Sequence, residues 1–136
     1  MDQGDLELSN KVEYSNPPSS GEPMGLYSQI ARVPAGELVF VAGQLAPGTF
    51  AEQFKGVYSQ LGAILGDLGT DFNSIAKFTT YLIDSADISE FMTLREEAFP
   101  KLFGGDVFAP NTLLIVQRLV KPEFRIEVEA VVRMPD

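Results

Sequence analysis

Six segments of this chain have the pattern of apolar and polar positions that predicts β-strands. The last is the clearest: over 124–133, one face of the predicted strand carries only apolar residues, namely Phe124, Ile126, Val128, Ala130 and Val132. Two other segments, 38–42 and 113–116, are apolar at almost every position, which is typical of buried strands. Further strands are predicted over 11–14, 27–33 and 75–83, and the segment 113–116 belongs to a strand over 112–119. The turn at 34–37 predicts a hairpin between 27–33 and 38–42.

Two other segments have helical spacing. From Thr49 to Leu68 the apolar residues recur every three or four positions, and Thr49 and Glu52 have the spacing of a capping box. A second helix is predicted after Asp87, which forms a capping-type pair with Glu90. We expect its regular part to end near Phe99, before Pro100, because proline lacks the N–H that continues a helix.

The predicted order is β-β-β-α-β-α-β-β, which indicates an α+β fold: a six-stranded sheet with two helices on one face. Residues 1–10 are acidic and polar and are expected to be a flexible lead-in to a single domain over 11–136. The segments 38–42 and 113–116 are apolar on both faces, yet two helices cover only one. A bare apolar sheet face is unusual on a monomer, so we expect a second copy of the chain to cover it.

Composition excludes several kinds of site. The chain has no cysteine and no histidine, which removes thiolate and imidazole chemistry and most zinc sites. The net charge is -9 and the basic residues are scattered, so a nucleic-acid partner or an anionic membrane surface is disfavoured. The amino terminus lacks the pattern of a signal peptide, and no apolar run is long enough to span a bilayer. We therefore expect a cytoplasmic protein.

A pair of carboxylates offers candidate chemistry. Glu127 and Glu129 lie on the same face of the last predicted strand, where two like charges would raise one pKa and allow general acid–base catalysis. The alternative is a solvated polar face in which Arg125 and Arg133 neutralise the glutamates.

Several short motifs recur in a fixed order along the chain: Tyr27-Ser28-Gln29, the segment 40–44, the segment 77–82, Ala109-Pro110-Asn111-Thr112, and the segment 126–130. In that order, and with these helices and strands, the chain resembles the reactive intermediate deaminase (Rid, formerly YjgF) family from about Tyr27 to Arg133. The resemblance implies a chorismate-mutase-like fold and a homotrimer with small-molecule pockets between subunits. It also implies hydrolysis of reactive enamines and imines to keto compounds and ammonia, with no cofactor and no metal.

The resemblance assigns roles to individual residues. Tyr27 matches the pocket tyrosine, and Gly43 matches the glycine whose carbonyl faces the substrate nitrogen. Thr112 and Leu113 match positions where a hydroxyl and a backbone amide line the pocket. Glu127 matches the glutamate thought to position water and is the expected catalytic residue.

One position departs from the family pattern. The family's Pro-Ala-Arg-Ser signature carries an arginine that holds the substrate carboxylate, and Asn111 occupies that position here. Asparagine offers a neutral amide instead of a permanent charge and a bidentate fork, so we expect imino acids derived from amino acids to be poor substrates. Arg32 and Arg118 are not expected to compensate.

Three functions stay open at this stage. The first is an imine or enamine deaminase with atypical substrate choice, which Glu127 and Tyr27 favour. The second is a trimer that binds a small metabolite without turnover, which Asn111 favours. The third is the endoribonuclease or translation inhibitor of older family descriptions, which the net charge of -9 and the absence of histidine oppose.

Overall fold

The computed structural model describes residues 11–135 and has the predicted order of strands and helices. The elements are β1 (Glu13–Ser15), β2 (Ile30–Arg32), β3 (Leu38–Gln44), α1 (Phe50–Asp67), β4 (Ile75–Leu82), α2 (Ile88–Phe103), β5 (Asn111–Ile115) and β6 (Ile126–Arg133). The α+β fold class is confirmed. The predicted lead-in, residues 1–10, lies outside the described residues.

The six strands are divided between two sheets instead of forming one. β3, β6, β4 and β5 form the larger sheet in that order, and β1 pairs with β2 in a small antiparallel sheet. The predicted hairpin is therefore wrong, because β3 pairs with β6 and not with β2. β2 has three residues, and only the central Ala31 is partly buried. A strand without a continuous apolar face has little in its own sequence to fix its neighbour.

Both helices pack on one face of the larger sheet, as predicted. Phe78 of β4 shows this directly, because its ring lies 5.9 Å from that of Tyr58 in α1 and 5.8 Å from that of Phe99 in α2. The β6 residues Ile126 and Val128 are fully buried on the same side. We call the opposite side, which no helix covers, the open face.

The observed helix ends agree with the sequence prediction for α1 and differ from it for α2. The capping box is present: the Glu52 amide donates to Thr49 Oγ1, and the Thr49 amide donates to Glu52 Oε1. Asp87 does not cap α2; its carboxylate accepts a hydrogen bond from Arg125 Nε at 3.2 Å instead.

Pro100 does not end α2, which continues to Phe103. Pro100 and the residue four positions before it, Glu96, are both exposed, so water can satisfy the carbonyl that proline leaves unpaired. Burial of the Phe103 ring beside Phe99, at 5.3 Å, favours the added turn. No helix within residues 11–135 is long and apolar enough to cross a membrane.

Candidate active site

The carboxyl group of Glu127 lies against the backbone of Gly43 in the neighbouring strand. A Cβ added to Gly43 would come within 2.5 Å of Glu127 Cδ and 2.7 Å of Glu127 Cγ, closer than van der Waals contact permits. The antiparallel register between β3 and β6 shifts between Val41 and Gln44, so Gly43 sits in the irregular part of β3. The structure thus brings together two of the residues that the sequence assigned to a site.

Glu129 and Tyr81 complete a polar cluster beside Glu127. Tyr81 lies opposite Glu127 in the register of β4 and β6, and its hydroxyl donates a hydrogen bond to Glu129 Oε1. This bond is the main reason why the pKa of Tyr81 is raised. Burial, and secondly the charge of Glu129, raise the pKa of Glu127 above its usual value of 4.5. The predicted effect of paired carboxylates is therefore present at Glu127.

The two arginines that could have neutralised these glutamates are engaged elsewhere. Arg125 bonds to Asp87, and Arg133 Nη2 donates to the carbonyl oxygen of Ala35 at 2.7 Å. A cavity of about 410 Å³ opens beside the cluster. Its far wall is the turn that contains Arg118, whose guanidinium donates to the carbonyl oxygens of Leu119 and Val120 and so shapes the wall.

Tyr27, Asn111 and Leu113 meet in a different cavity, of about 360 Å³, which we call the Tyr27 cavity. Tyr27 lies in the loop before β2, and its hydroxyl accepts a hydrogen bond from the Met24 amide at 3.2 Å. Asn111 begins β5, and its Oδ1 accepts a hydrogen bond from Thr80 Oγ1 at 2.7 Å. These three predicted residues are therefore brought together.

Within one chain, the predicted residues fall into two groups on opposite faces of the sheet. Thr80 is buried on the helix side, so its partner Asn111 lies on that side, and so does Leu113, which is in register with Thr80. Glu127 alternates with the buried Ile126 and Val128, which places it on the open face. Thr112 alternates with Asn111 and Leu113, so it is also on the open face and is exposed.

Arg95 was not among the predicted site residues, yet it lines the Tyr27 cavity from α2. Arg95 is 3% exposed, and its guanidinium carbon lies 5.7 Å from the centre of the Tyr27 ring. The signal was available in the sequence, because Arg95 occupies a core-facing position of α2 between Phe91 and Phe99, each four residues away. A charged residue at such a position is unusual and indicates a partner or a function.

No group of three or more acidic side chains within 11–135 is arranged to hold a metal ion.

A comparison with models of protein families shows to which family the chain with these two groups of residues belongs. The model of the Endoribonuclease L-PSP family matches residues 18–134, which is most of the chain. The chain belongs to this family, whose members include the Rid and YjgF proteins. The resemblance seen in the sequence is thereby confirmed.

Two relatives of this chain are 33–39% identical to it over the residues that align. A RutC family protein of Pyrococcus abyssi is 33% identical over 119 residues, covering 81% of this chain and 87% of that protein. The 2-iminobutanoate/2-iminopropanoate deaminase of Rattus norvegicus is 39% identical over 90 residues, covering 66% of this chain and 61% of that protein.

Solved structures of Rid proteins have the same fold. The Rid protein YyfB from Yersinia pestis superimposes with a TM-score of 0.75 at 21% identity, covering 90% of this chain and 98% of that one. TdcF of E. coli, solved with bound serine, gives a TM-score of 0.64 at 23% identity, covering 82% of this chain and 90% of that one. At these identities the likeness supports the fold.

Proposed function

We propose that this protein is a hydrolytic deaminase that converts reactive enamines or imines to keto compounds and ammonia without a cofactor. The observation that carries the proposal is the position of Glu127, a carboxylate with a raised pKa held against the backbone of Gly43 beside an open cavity. A raised pKa brings a carboxylate closer to the range in which it can both accept and return a proton near neutral pH.

The reaction needs one group that moves protons. In the proposed mechanism, Glu127 removes a proton from water as the water oxygen adds to the carbon of the protonated imine. Glu127 then returns this proton to the nitrogen of the resulting carbinolamine. The C–N bond breaks as Glu127 takes the hydroxyl proton, which releases ammonia and leaves the keto compound; ammonia finally takes that proton. The carbonyl of Gly43 is proposed to accept a hydrogen bond from the substrate nitrogen.

We also propose that the working form is a homotrimer with its sites between subunits. The open face exposes large apolar side chains, including Phe40, which is 75% exposed, and Leu38 and Leu114. Glu127 and the Tyr27 cavity lie on opposite faces of one sheet, so a single chain does not place them in one pocket. A cleft between subunits lets the Glu127 group of one chain face the Tyr27 cavity of another.

Imine hydrolysis is the direct test. An amino-acid oxidase generates imines from a panel of amino acids, semicarbazide traps those that remain, and the protein is expected to lower the trapped signal. The variant N111R is run beside the wild type, because it restores the residue that the family pattern has at this position. Activity in the wild type supports the proposal. Activity in N111R alone would indicate a deaminase scaffold directed at another ligand.

The second candidate is a trimer that binds a small metabolite without turnover, and the neutral Asn111 is the observation that favours it. If neither the wild type nor N111R hydrolyses imines in the assay, the result supports this candidate. We do not propose ribonuclease activity, because a chain with a net charge of -9 repels a phosphate backbone. The cytoplasmic location stays a prediction.

A further inference from the structure

The Tyr27 cavity is lined by both apolar side chains and side chains that carry hydrogen-bond donors. Met24, Ile88, Met92 and Leu113 supply the apolar lining, and Tyr27, Asn111 and Arg95 supply the polar groups. Its size, about 360 Å³, suits a small metabolite.

Arg95 is a buried cation that makes no salt bridge to an acidic side chain within residues 11–135. Among the described residues, its side chain makes one hydrogen bond, from Nη2 to the sulfur of Met92 at 3.1 Å. Its guanidinium carbon lies 5.0 Å from the Phe91 ring centre and 6.0 Å from that of Phe99, and its Nη2 also lies against the backbone of Gly25. Burial lowers the pKa of Arg95, and the nearby charge of Glu96 offsets only part of this effect.

A purely structural role explains these contacts poorly. A guanidinium has five N–H donors. A thioether sulfur is a weak acceptor, and the cation–π attraction of the aromatic rings leaves the other N–H donors without hydrogen-bond acceptors. Burying a charge in this way is costly unless a partner satisfies it. An apolar side chain would fill the same space beside Phe91 and Phe99 without that cost. The arginine therefore indicates a ligand that is present during function.

The neighbouring Asn111 and Tyr27 also have hydrogen-bond donors that no acceptor within residues 11–135 uses. Asn111 Oδ1 accepts from Thr80, while its Nδ2 donates to no residue within 11–135. The Tyr27 oxygen accepts from the Met24 amide, and its own proton has no acceptor in the described part of the chain. Three donors, one of them charged, thus surround one cavity. The complementary ligand group accepts hydrogen bonds and is negatively charged.

We propose that Arg95 supplies, from helix α2, the cation that anchors a small aliphatic carboxylate in the Tyr27 cavity, with Asn111 and Tyr27 as further donors. The hydrocarbon part of the ligand would lie against Met24, Met92 and Leu113. This inference deepens the proposed function and rests on it in one respect: if the protein is a deaminase, Arg95 selects imino acids as its substrates.

Arg95 changes what Asn111 implies about substrate choice. From Asn111 alone, imino acids derived from amino acids are expected to be poor substrates. With Arg95 in the same cavity, the positive charge is supplied by helix α2 instead of strand β5. We therefore expect the wild type to accept carboxylate-bearing imines, and N111R to gain little because it would place a second cation beside the first.

The methionines provide a direct test in the unmodified protein. The chain has four methionines; Met24 and Met92 line the cavity, whereas Met134 lies outside it. With ¹³C-methyl-labelled methionine, titration with butanoate is expected to shift the Met24 and Met92 resonances saturably and to leave Met134 unchanged. Butanamide is the matched control, because it has the same shape and no charge. Absence of a saturable shift, or equal binding of butanamide, would overturn the proposal.

Variants assign the binding to Arg95. R95Q removes the charge and is expected to weaken butanoate binding about 30-fold or more, the effect of breaking a desolvated charge pair. R95K keeps the charge without the planar fork and is expected to retain intermediate affinity. R32Q, which removes an exposed arginine, serves as the control and should bind like the wild type. Unchanged binding by a folded R95Q would refute the anchoring role.

Binding and catalysis are measured separately, so the two proposals can fail independently. Butanoate binding without imine hydrolysis would support the anion site and reject the deaminase. Hydrolysis without butanoate binding would do the reverse. If R95Q does not fold, the methyl titration of the wild type still decides whether the cavity takes a carboxylate.

Discussion

The side chain of Glu127 occupies the space that a side chain at position 43 would need, so Gly43 and Glu127 are sterically dependent on each other. A Cβ on residue 43 would lie 2.5 Å from the carboxyl carbon of Glu127. The absence of a side chain at Gly43 is therefore a condition for the observed position of the candidate catalytic group.

The variant G43A is expected to displace the Glu127 carboxylate and to lower imine hydrolysis about 100-fold, since misplacing a reacting group by about 1 Å has effects of this size. G66A is the matched control: Gly66 lies within α1, and no atom outside its own helix backbone is within 4 Å of an added Cβ. G66A should keep full activity and raise the stability by about 0.5–1 kcal/mol, because alanine is the better helix former. Steady-state kinetics and thermal unfolding measure both effects. Full activity of a folded G43A would contradict the interpretation.

Replacing Glu127 by glutamine keeps the shape of the side chain and removes its ability to accept a proton. We expect E127Q to lose imine hydrolysis by about 100-fold or more, the usual contribution of a general acid–base group. The folded state disfavours the charged form of Glu127, so the neutral glutamine should not lower Tm at neutral pH. E97Q, at an exposed position of α2, is the control and should match the wild type in both assays. A fully active E127Q would show that another group moves the proton.

The raised pKa of Glu127 predicts the form of the pH profile. As a base, Glu127 works only when deprotonated, so kcat/KM should fall as the pH decreases through a value above the 4.5 of an ordinary glutamate. The charge of Glu129 is the second cause of the raised pKa. E129Q is therefore expected to move this acidic limb to lower pH. A limb that stays in place, or moves upward, would mean that Glu129 does not act on the titrating group.

Phe40 tests whether the open face is an interface between subunits. Its side chain is 75% exposed on β3. We expect F40D to convert the proposed trimer into monomers, because a carboxylate buried in the interface without a partner is costly. V107D is the control, since Val107 is 50% exposed in the loop between α2 and β5 and lies outside the sheet. Sedimentation equilibrium gives the mass of each species. A trimer that survives F40D, or a wild type that is monomeric, would reject the interface.

Local rules explain the elements that the sequence predicted well. The capping box at Thr49 and Glu52 uses atoms three residues apart, and the alternation along β6 follows from strand geometry alone. Glu127 is one of the polar residues in that alternating pattern, so the sequence also predicted its position on the face opposite the core. Burial is the main cause of its raised pKa; the second cause, the charge of Glu129 two residues away on the same strand, is the one that the sequence predicted.

The structure differs from the sequence predictions where contacts with distant residues outweigh a local sequence preference. Asp87 has the spacing of a helix cap, but Arg125, 38 positions away, bonds to its carboxylate. Pro100 should end a helix, but burial of Phe103 against Phe99 favours another turn. The partner of β2 could not be predicted because three residues carry too little pattern to select a neighbour.

The sequence by itself determined the strands, the helices, the apolar open face and the identity of Glu127 as a candidate base, because these depend on periodicity and on neighbouring residues. Only the tertiary structure placed Arg95 in the cavity with Tyr27 and Asn111, and only it separated that cavity from Glu127 by the thickness of the sheet. Arg95 and Tyr27 are 68 positions apart, and Arg95 and Asn111 are 16 apart. Their position around one cavity depends on how α2, the loop before β2 and β5 are arranged in the fold, which no local pattern encodes.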